Sequence, residues 1–266
     1  MILLVALRSL MFQLGYVGST VIWGCVCLIA VPLLPYHLRF RIAVLYWTGF
    51  ILWWLRLTCG VTHRIHGLEN IPAEPCVVLC KHQSTWETYL LQSLFVPTAS
   101  VLKRELLMIP FFGWVYRLLK PIPIDRSKPT AAGKQLIREG KSRLNEGIWI
   151  TLLPEGTRVP TGTTGRFQRG GAALARAADV PILCVAHDAG KCWPAHRFMK
   201  FPGEIQVVIS PVLSLDARTD EEVTRLAEGW TRAAMESLET RDGPSLYART
   251  PMESIGVRSD VEVRHG

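Results

Sequence analysis

The sequence predicts an α/β fold, a mostly parallel mixed sheet flanked by helices, preceded by an N-terminal helical segment that anchors the chain in a membrane. Three observations lead there. No Asp, Glu, Lys or Arg occurs between Arg8 and Arg39, and a bilayer core is crossed by about 20 apolar residues as helix. From about Val61 the texture changes to short apolar runs that alternate with mixed helical stretches, the signature of strand and helix in alternating layers. Thr219 and Glu222 then form a capping box ahead of Val223, Leu226, Trp230 and Ala233, which marks a last amphipathic helix. The expected organisation is a helical membrane anchor or hairpin over 1–60, an α/β domain over 61–243 and a loose tail over 244–266, where apolar periodicity disappears.

The elements follow in order. A second uncharged run, Ile42 to Leu55, is short for a crossing and is expected to pair with the first as a hairpin sunk into one leaflet. Arginines 8, 39, 41 and 56 flank the runs on both sides, so the positive-inside rule puts both ends at the cytoplasmic face. A secretory signal is disfavoured because the run is too long for an h-region. Candidate strands are Cys76 to Cys80, Ala99 to Leu102, Ile122 to Ile124, Ile148 to Leu153, Ile182 to Ala186 and Ile205 to Ile209. Helices are expected over Thr85 to Leu94, Thr130 to Asn145 and Gly171 to Ala178, with the near-continuous apolar strands favouring a buried, largely parallel sheet.

The formal charge of +8 is uneven. Residues 61–200 hold nineteen Lys or Arg against ten Asp or Glu, whereas 201–266 hold seven against twelve. A basic middle beside an apolar anchor favours anionic headgroups or phosphorylated substrates. No nucleic-acid partner is expected, since the basic residues are scattered through apolar strands without a binding motif. The seven cysteines are odd in number and lie mostly in apolar runs, which argues against a disulfide framework and for a reducing compartment. Cys76, Cys80 and His82 lack a second ligand pair at zinc-site spacing, so no metal is expected.

Two stretches carry chemistry. Lys81-His82-Gln83-Ser84-Thr85-Trp86-Glu87 follows an apolar strand. A His at a strand end with a carboxylate five residues on can form a general base and its orienting partner. Ser84 and Glu87 also satisfy the capping-box pattern, and spacing alone does not separate the two readings. The strand Ile148 to Leu153 runs into Pro154-Glu155-Gly156-Thr157-Arg158. There Gly156 permits a sharp turn, and Arg158, whose planar fork suits phosphate, emerges just past a strand end, where open α/β sheets bind ligands.

Together these stretches resemble the glycerolipid acyltransferase family, which includes lysophosphatidic acid acyltransferase. His82 and Glu87 match the family's first motif, His and four residues then Asp. Ile124-Asp125-Arg126 match the end of the second, Leu153 to Arg158 the third (Phe-Pro-Glu-Gly-Thr-Arg), and Val180-Pro181-Ile182 the fourth. Two departures are Glu87 for Asp, one methylene longer with the charge kept, and Leu153 for Phe.

The resemblance implies a glycerol-3-phosphate acyltransferase-like fold with His82 as general base and Glu87 as its partner. It further implies that Glu155 orients the acceptor and Arg158 holds its phosphate, with Lys103 and Arg126 as further phosphate contacts and Gly156 and Thr157 in the binding loop. The implied reaction takes an acyl group from acyl-CoA or acyl-carrier protein as co-substrate, with no bound cofactor, to a lysophospholipid at a bilayer surface. The implied place is a bacterial inner (cytoplasmic) membrane, active site on the cytoplasmic side. Leu106 to Leu119, rich in aromatics, either lies on the membrane at the acyl-chain entrance or is an ordinary buried helix. Other acceptors such as glycerol 3-phosphate, another lysophospholipid or a lyso-ornithine lipid are the alternative within the enzyme class. Outside it stands a non-catalytic membrane-attached lipid-binding protein. A serine hydrolase is disfavoured, since no Gly-x-Ser-x-Gly elbow occurs.

Overall fold

The computed structural model describes residues 2–239 and 248–252. It begins with two long apolar helical segments. Helix α1 runs from Ile2 to Ala30. After a turn at Pro35, α2 (Tyr36–Phe40), a π-wound stretch Arg41–Tyr46 and α3 (Trp47–Cys59) continue as one rod, Tyr36–Cys59. By length and composition both segments can cross a membrane. The second is therefore ten residues longer than the run expected from sequence (24 against 14), because His37, Arg39, Arg41 and Arg56 lie within the helix instead of bounding it.

The two segments lie antiparallel. Trp47 Nε1 donates to Ser19 Oγ at 3.3 Å, and Trp54 Nε1 reaches the carbonyls of Met11 and Phe12, each at 3.3 Å. Gly15 makes that approach possible, for a Cβ there would stand 2.1 Å from Trp54 Nε1. α1 buries a narrow stripe at Ser9, Phe12, Gly24 and Cys27. Leu3, Leu7, Leu10, Leu14, Val21 and Ile29 remain exposed, a long apolar surface of the kind that meets lipid or a partner.

Among the described residues seven strands form one sheet in the order β1-β7-β6-β2-β5-β3-β4. They are β1 (Val61–His66), β2 (Val77–Cys80), β3 (Thr98–Lys103), β4 (Ile122–Ile124), β5 (Trp149–Leu152), β6 (Ile182–His187) and β7 (Gly203–Ile209). All neighbours pair parallel except β6 and β7. Central β2 sets Val77 beside Ile150 of β5 and Ile182 of β6. β2, β5 and β6 are buried along their whole length, so both faces are covered, which is why they read as uninterrupted apolar runs. β1 was not among the expected strands. It is an edge strand whose His63 and Arg64 are both exposed, the His63 ring lying against Trp86, and such a sequence lacks an apolar run.

Helices α6 (Pro129–Asn145), α7 (Gly170–Ala178) and α8 (Asp220–Ser237) cover one face, with Leu136, Leu174 and Trp230 in the core there. Helix α4 (Trp86–Leu94) and the hairpin cover the other, through Phe12, Ile51, Leu55 and Trp86. The expected capping box is present: Thr219 Oγ1 accepts from Glu222 N at 3.3 Å and Thr219 N donates to Glu222 Oε2 at 2.7 Å. The short helix α5 (Phe112–Arg117) packs Val115 and Tyr116 against Phe40 and Val44 of the hairpin. Of the expected loose tail, residues 248–252 lie on the core instead, with Ala248 and Met252 buried and Asn70 Nδ2 donating to the Ala248 carbonyl. The remainder falls outside the described residues.

Candidate active site

Ligands of parallel sheets gather at the carboxyl ends of the strands, and here three neighbouring strands, β5, β2 and β6, deliver the polar residues to one edge. β2 ends in Lys81 and His82, β5 in Pro154 to Arg158, and β6 in His187.

Glu87 stands in the first turn of α4, where side chains lean back toward the helix start. Its Oε1 lies 2.8 Å from His82 Nδ1 and also accepts the amides of Gln83 at 3.2 Å and Ser84 at 3.0 Å. The two readings of this stretch are therefore one structure: the carboxylate that tethers the helix start also touches the imidazole. Ser84 Oγ completes the start by accepting from Trp86 N at 3.1 Å. The added methylene of Glu leaves a normal contact to the ring.

Burial pushes the Glu87 carboxyl up, but the hydrogen bond from His82, the nearby His187 ring and the Ser84 amide outweigh it and leave it below the ordinary value. Glu87 is thus a carboxylate near neutral pH. Facing a carboxylate, His82 Nδ1 carries the proton, which leaves Nε2 as the basic nitrogen.

The backbone of His82 is held from both sides by the β5 loop. Its amide donates to Glu155 Oε2 at 2.8 Å, and its carbonyl accepts from Val159 N at 2.9 Å. Glu155 Oε1 pairs with Lys81 Nζ at 2.8 Å and accepts Gly165 N at 2.7 Å, with both charged side chains fully buried. Glu155 therefore faces inward with both oxygens engaged by the protein and does not line the cavity described next, unlike the acceptor-orienting position expected from sequence. Gly156, at φ +71°, makes the turn, and Thr157 points to solvent. Neither lines the cavity described next, although the Gly156 carbonyl accepts from Arg126, which does.

A cavity of about 470 Å³ opens in front of the dyad. His82, Arg158, Arg126 and Lys103 line its polar part, and Val21, Leu102, Leu106, Ile109, Phe111 and Phe112 its apolar part. Arg158 donates from Nε to the Ser84 carbonyl at 3.0 Å and from Nη2 to Thr85 Oγ1 at 3.1 Å. Arg126 donates from Nη1 to the Gly156 carbonyl. Lys103 lies 3.7 Å from Glu105, both exposed. The structure thus brings His82, Glu87, Arg158, Arg126 and Lys103 together. Leu106, Ile109, Phe111 and Phe112 line the cavity while Met108 and Trp114 are exposed, so the aromatic stretch is not an ordinary buried helix. Cys76, Cys80 and His82 do not converge: among the described residues no group of three His, Cys, Asp or Glu side chains is placed to hold a metal.

A family model described as Acyltransferase matches residues 62–188. The 1-acyl-sn-glycerol-3-phosphate acyltransferase of Pseudomonas aeruginosa is 46% identical over 233 residues, covering 86% of this chain and 91% of that protein. The chain belongs to the acyltransferase family. A protein of the same description from Cocos nucifera is 27% identical over 219 residues, 81% of this acyltransferase and 69% of the relative. The crystal structure of the 1-acyl-sn-glycerophosphate acyltransferase of Thermotoga maritima, 24% identical, shares the fold with a TM-score of 0.74 over 89% of this chain and 97% of its own.

Sequence reasoning missed two residues of this acyltransferase site. His187 is fully buried with Nε2 2.9 Å from the Lys81 carbonyl and 4.0 Å from Glu87 Oε2, while Nδ1 accepts from Ala189 N at 3.2 Å. That amide fixes the tautomer with the proton on Nε2, and burial lowers the ring's pKa. Gln83 joins the two loops, donating to the His187 carbonyl at 2.8 Å and accepting Gly190 N at 3.2 Å. The available signal was a second His at the carboxyl end of an apolar strand, the same cue that marked His82.

Proposed function

We propose that this acyltransferase moves a fatty acyl group from acyl-CoA or acyl-carrier protein to the sn-2 hydroxyl of 1-acylglycerol 3-phosphate, giving phosphatidic acid. The carrying observation is the His82 Nδ1 to Glu87 Oε1 contact of 2.8 Å at the wall of a cavity also lined by Arg158, Arg126 and Lys103. The relatives' activity on a lysophosphatidic acid supports the acceptor.

In the proposed reaction the acceptor hydroxyl gives its proton to His82 Nε2 as its oxygen attacks the thioester carbonyl. The tetrahedral adduct then collapses, the C–S bond breaks, and the departing sulfur takes the proton back from the imidazolium. Glu87 fixes the ring and stabilises its cationic state. General-base help of this kind contributes about 10²- to 10⁴-fold. The guanidinium of Arg158 offers a planar fork to the acceptor phosphate, with Arg126 and Lys103 adding positive charge. No covalent enzyme intermediate is required, because the thioester is already activated.

Both substrate and product carry acyl chains, which fits an enzyme held at the bilayer by its hairpin. The proposed place is the cytoplasmic side of a bacterial inner membrane, where a thioester donor made in the cytoplasm meets the lysolipid, and the bacterial relative supports it. The test uses the purified full chain in phospholipid vesicles with lysophosphatidic acid and labelled oleoyl-CoA or oleoyl-carrier protein. Labelled phosphatidic acid is the expected product. Exclusive labelling of glycerol 3-phosphate or of a phosphate-free lysolipid in acceptor competition would overturn the assignment.

A further inference from the structure

Helix α6 carries four basic residues against one carboxylate, and its charge faces solvent. Lys134, Arg138 and Lys141 recur at spacings of four and three and are all exposed, so they form one stripe. Leu136, Gly140 and Leu144 are buried on the opposite side. Lys128, exposed at the helix start, extends the stripe to Arg126 at the cavity. Glu139 sits beside the stripe and is held by Gln135 at 3.0 Å and Arg138 at 3.3 Å. Among the described residues Lys134 and Lys141 have no ion-pair partner, while Lys128 lies near Asp125.

This excess is not shared by the rest of that face. Helix α8 carries five carboxylates against two arginines, and three arginines of α7, α8 and the loop before α7 are paired: Arg176 with Asp220 at 2.6 Å, Arg169 with Glu221 at 3.1 Å and Arg232 with Glu228 at 2.8 Å. An exposed basic strip with few carboxylate partners therefore starts beside the catalytic cavity. The strip lies on the sheet face opposite the hairpin, which favours a water-soluble anionic partner over lipid headgroups. From Lys134 to Lys141 it spans about 10 Å of helix axis at 1.5 Å per residue, and none of its residues lines the cavity itself, as suits a carrier that docks outside and reaches in.

We propose that the exposed stripe of α6 is the docking surface for an acidic acyl-carrier protein that presents its thioester to the cavity beside Arg126. This rests on the donor chemistry given under Proposed function and assigns it a partner. Complementary charge steers encounter and sets register, and it weakens as salt rises.

The test compares the wild-type full chain with the triple variant Lys134→Glu, Arg138→Glu, Lys141→Glu in vesicles containing lysophosphatidic acid. Palmitoyl-carrier protein and palmitoyl-CoA are offered separately. The expected result is a loss of kcat/KM of about tenfold or more for the carrier, carried by KM and growing smaller as salt is raised, with the CoA reaction within about twofold of wild type. The CoA rate also reports that the variant is folded. A variant in which Lys134 and Lys141 are both Arg keeps the carrier reaction. Equal losses with both donors, an unchanged carrier reaction, or a wild type that uses CoA but not the carrier would each overturn the docking surface and leave the acceptor assignment standing. A wild type that acylates lysophosphatidic acid with neither donor would overturn the assignment itself.

Discussion

The amide of His82 donates to Glu155 Oε2 at 2.8 Å, so a residue carried by one strand loop sets the peptide of the residue that carries the base on the next. The two stretches that stand out in the sequence, 73 residues apart, are halves of one clamp. Lys81 completes it, and because that ammonium and the Glu155 carboxylate are both buried, each depends on the other.

Replacing His82 by Ala removes the base without disturbing the clamp, which uses only backbone atoms of that residue. The expected loss in kcat is about 10²- to 10⁴-fold, with a folded variant whose thermal midpoint is lowered because buried Glu87 loses its imidazole partner. Steady-state rates and a melting curve on the same preparation check it; a fully active, folded variant would sink the mechanism.

Glu87→Gln keeps an oxygen for the amides of Gln83 and Ser84 but loses the charge beside the ring. A fall in kcat of about 10²-fold is expected. Stability should also respond to pH. The folded-state carboxyl is held below its ordinary value, so the ionised form favours the fold. That contribution is complete above the unfolded pKa of about 4.3 and disappears as pH falls through the lower folded value. Urea midpoints of wild type and Glu87→Gln should differ at pH 7 and converge in acid.

Glu155→Gln leaves the Lys81 ammonium buried without its counter-charge, a change of about 3–5 kcal/mol. The double variant Lys81→Met with Glu155→Leu removes both charges and should recover much of that loss, as a double-mutant cycle on denaturant midpoints will show. If Glu155 instead gripped the acceptor, its replacement would raise the acceptor KM in a variant of wild-type stability.

Arg158→Lys retains a positive charge but cannot serve the Ser84 carbonyl, Thr85 Oγ1 and a phosphate at once. The KM for lysophosphatidic acid is expected to rise about tenfold, with a smaller effect on a monoacylglycerol offered as a phosphate-free acceptor. Equal effects on the two acceptors would remove Arg158 from phosphate recognition.

The parts legible in the sequence are those governed by local pattern. β2, β5 and β6 are buried on both faces, so composition alone marks them, and His82 with Glu87 share one strand-to-helix turn, so their spacing allowed a contact as well as the capping role. The direction of Glu155 was not legible. A carboxylate just past a strand end can point outward to ligand or inward to a lysine, and the choice is set by Gly165 and Lys81, which the loop and the sheet bring to it. His187 escaped for the same reason, since its nearness to Glu87 exists only once β6 lies beside β2. β1 escaped because an edge strand needs few apolar residues.

Tyr16, Val17, Thr20 and Val21 of α1 form part of the cavity wall. The segment whose outer side is an exposed apolar surface is thus, on its other side, a wall of the cavity. Trimming residues 1–60 to obtain a tractable soluble protein would not detach a tether; it would breach the chamber.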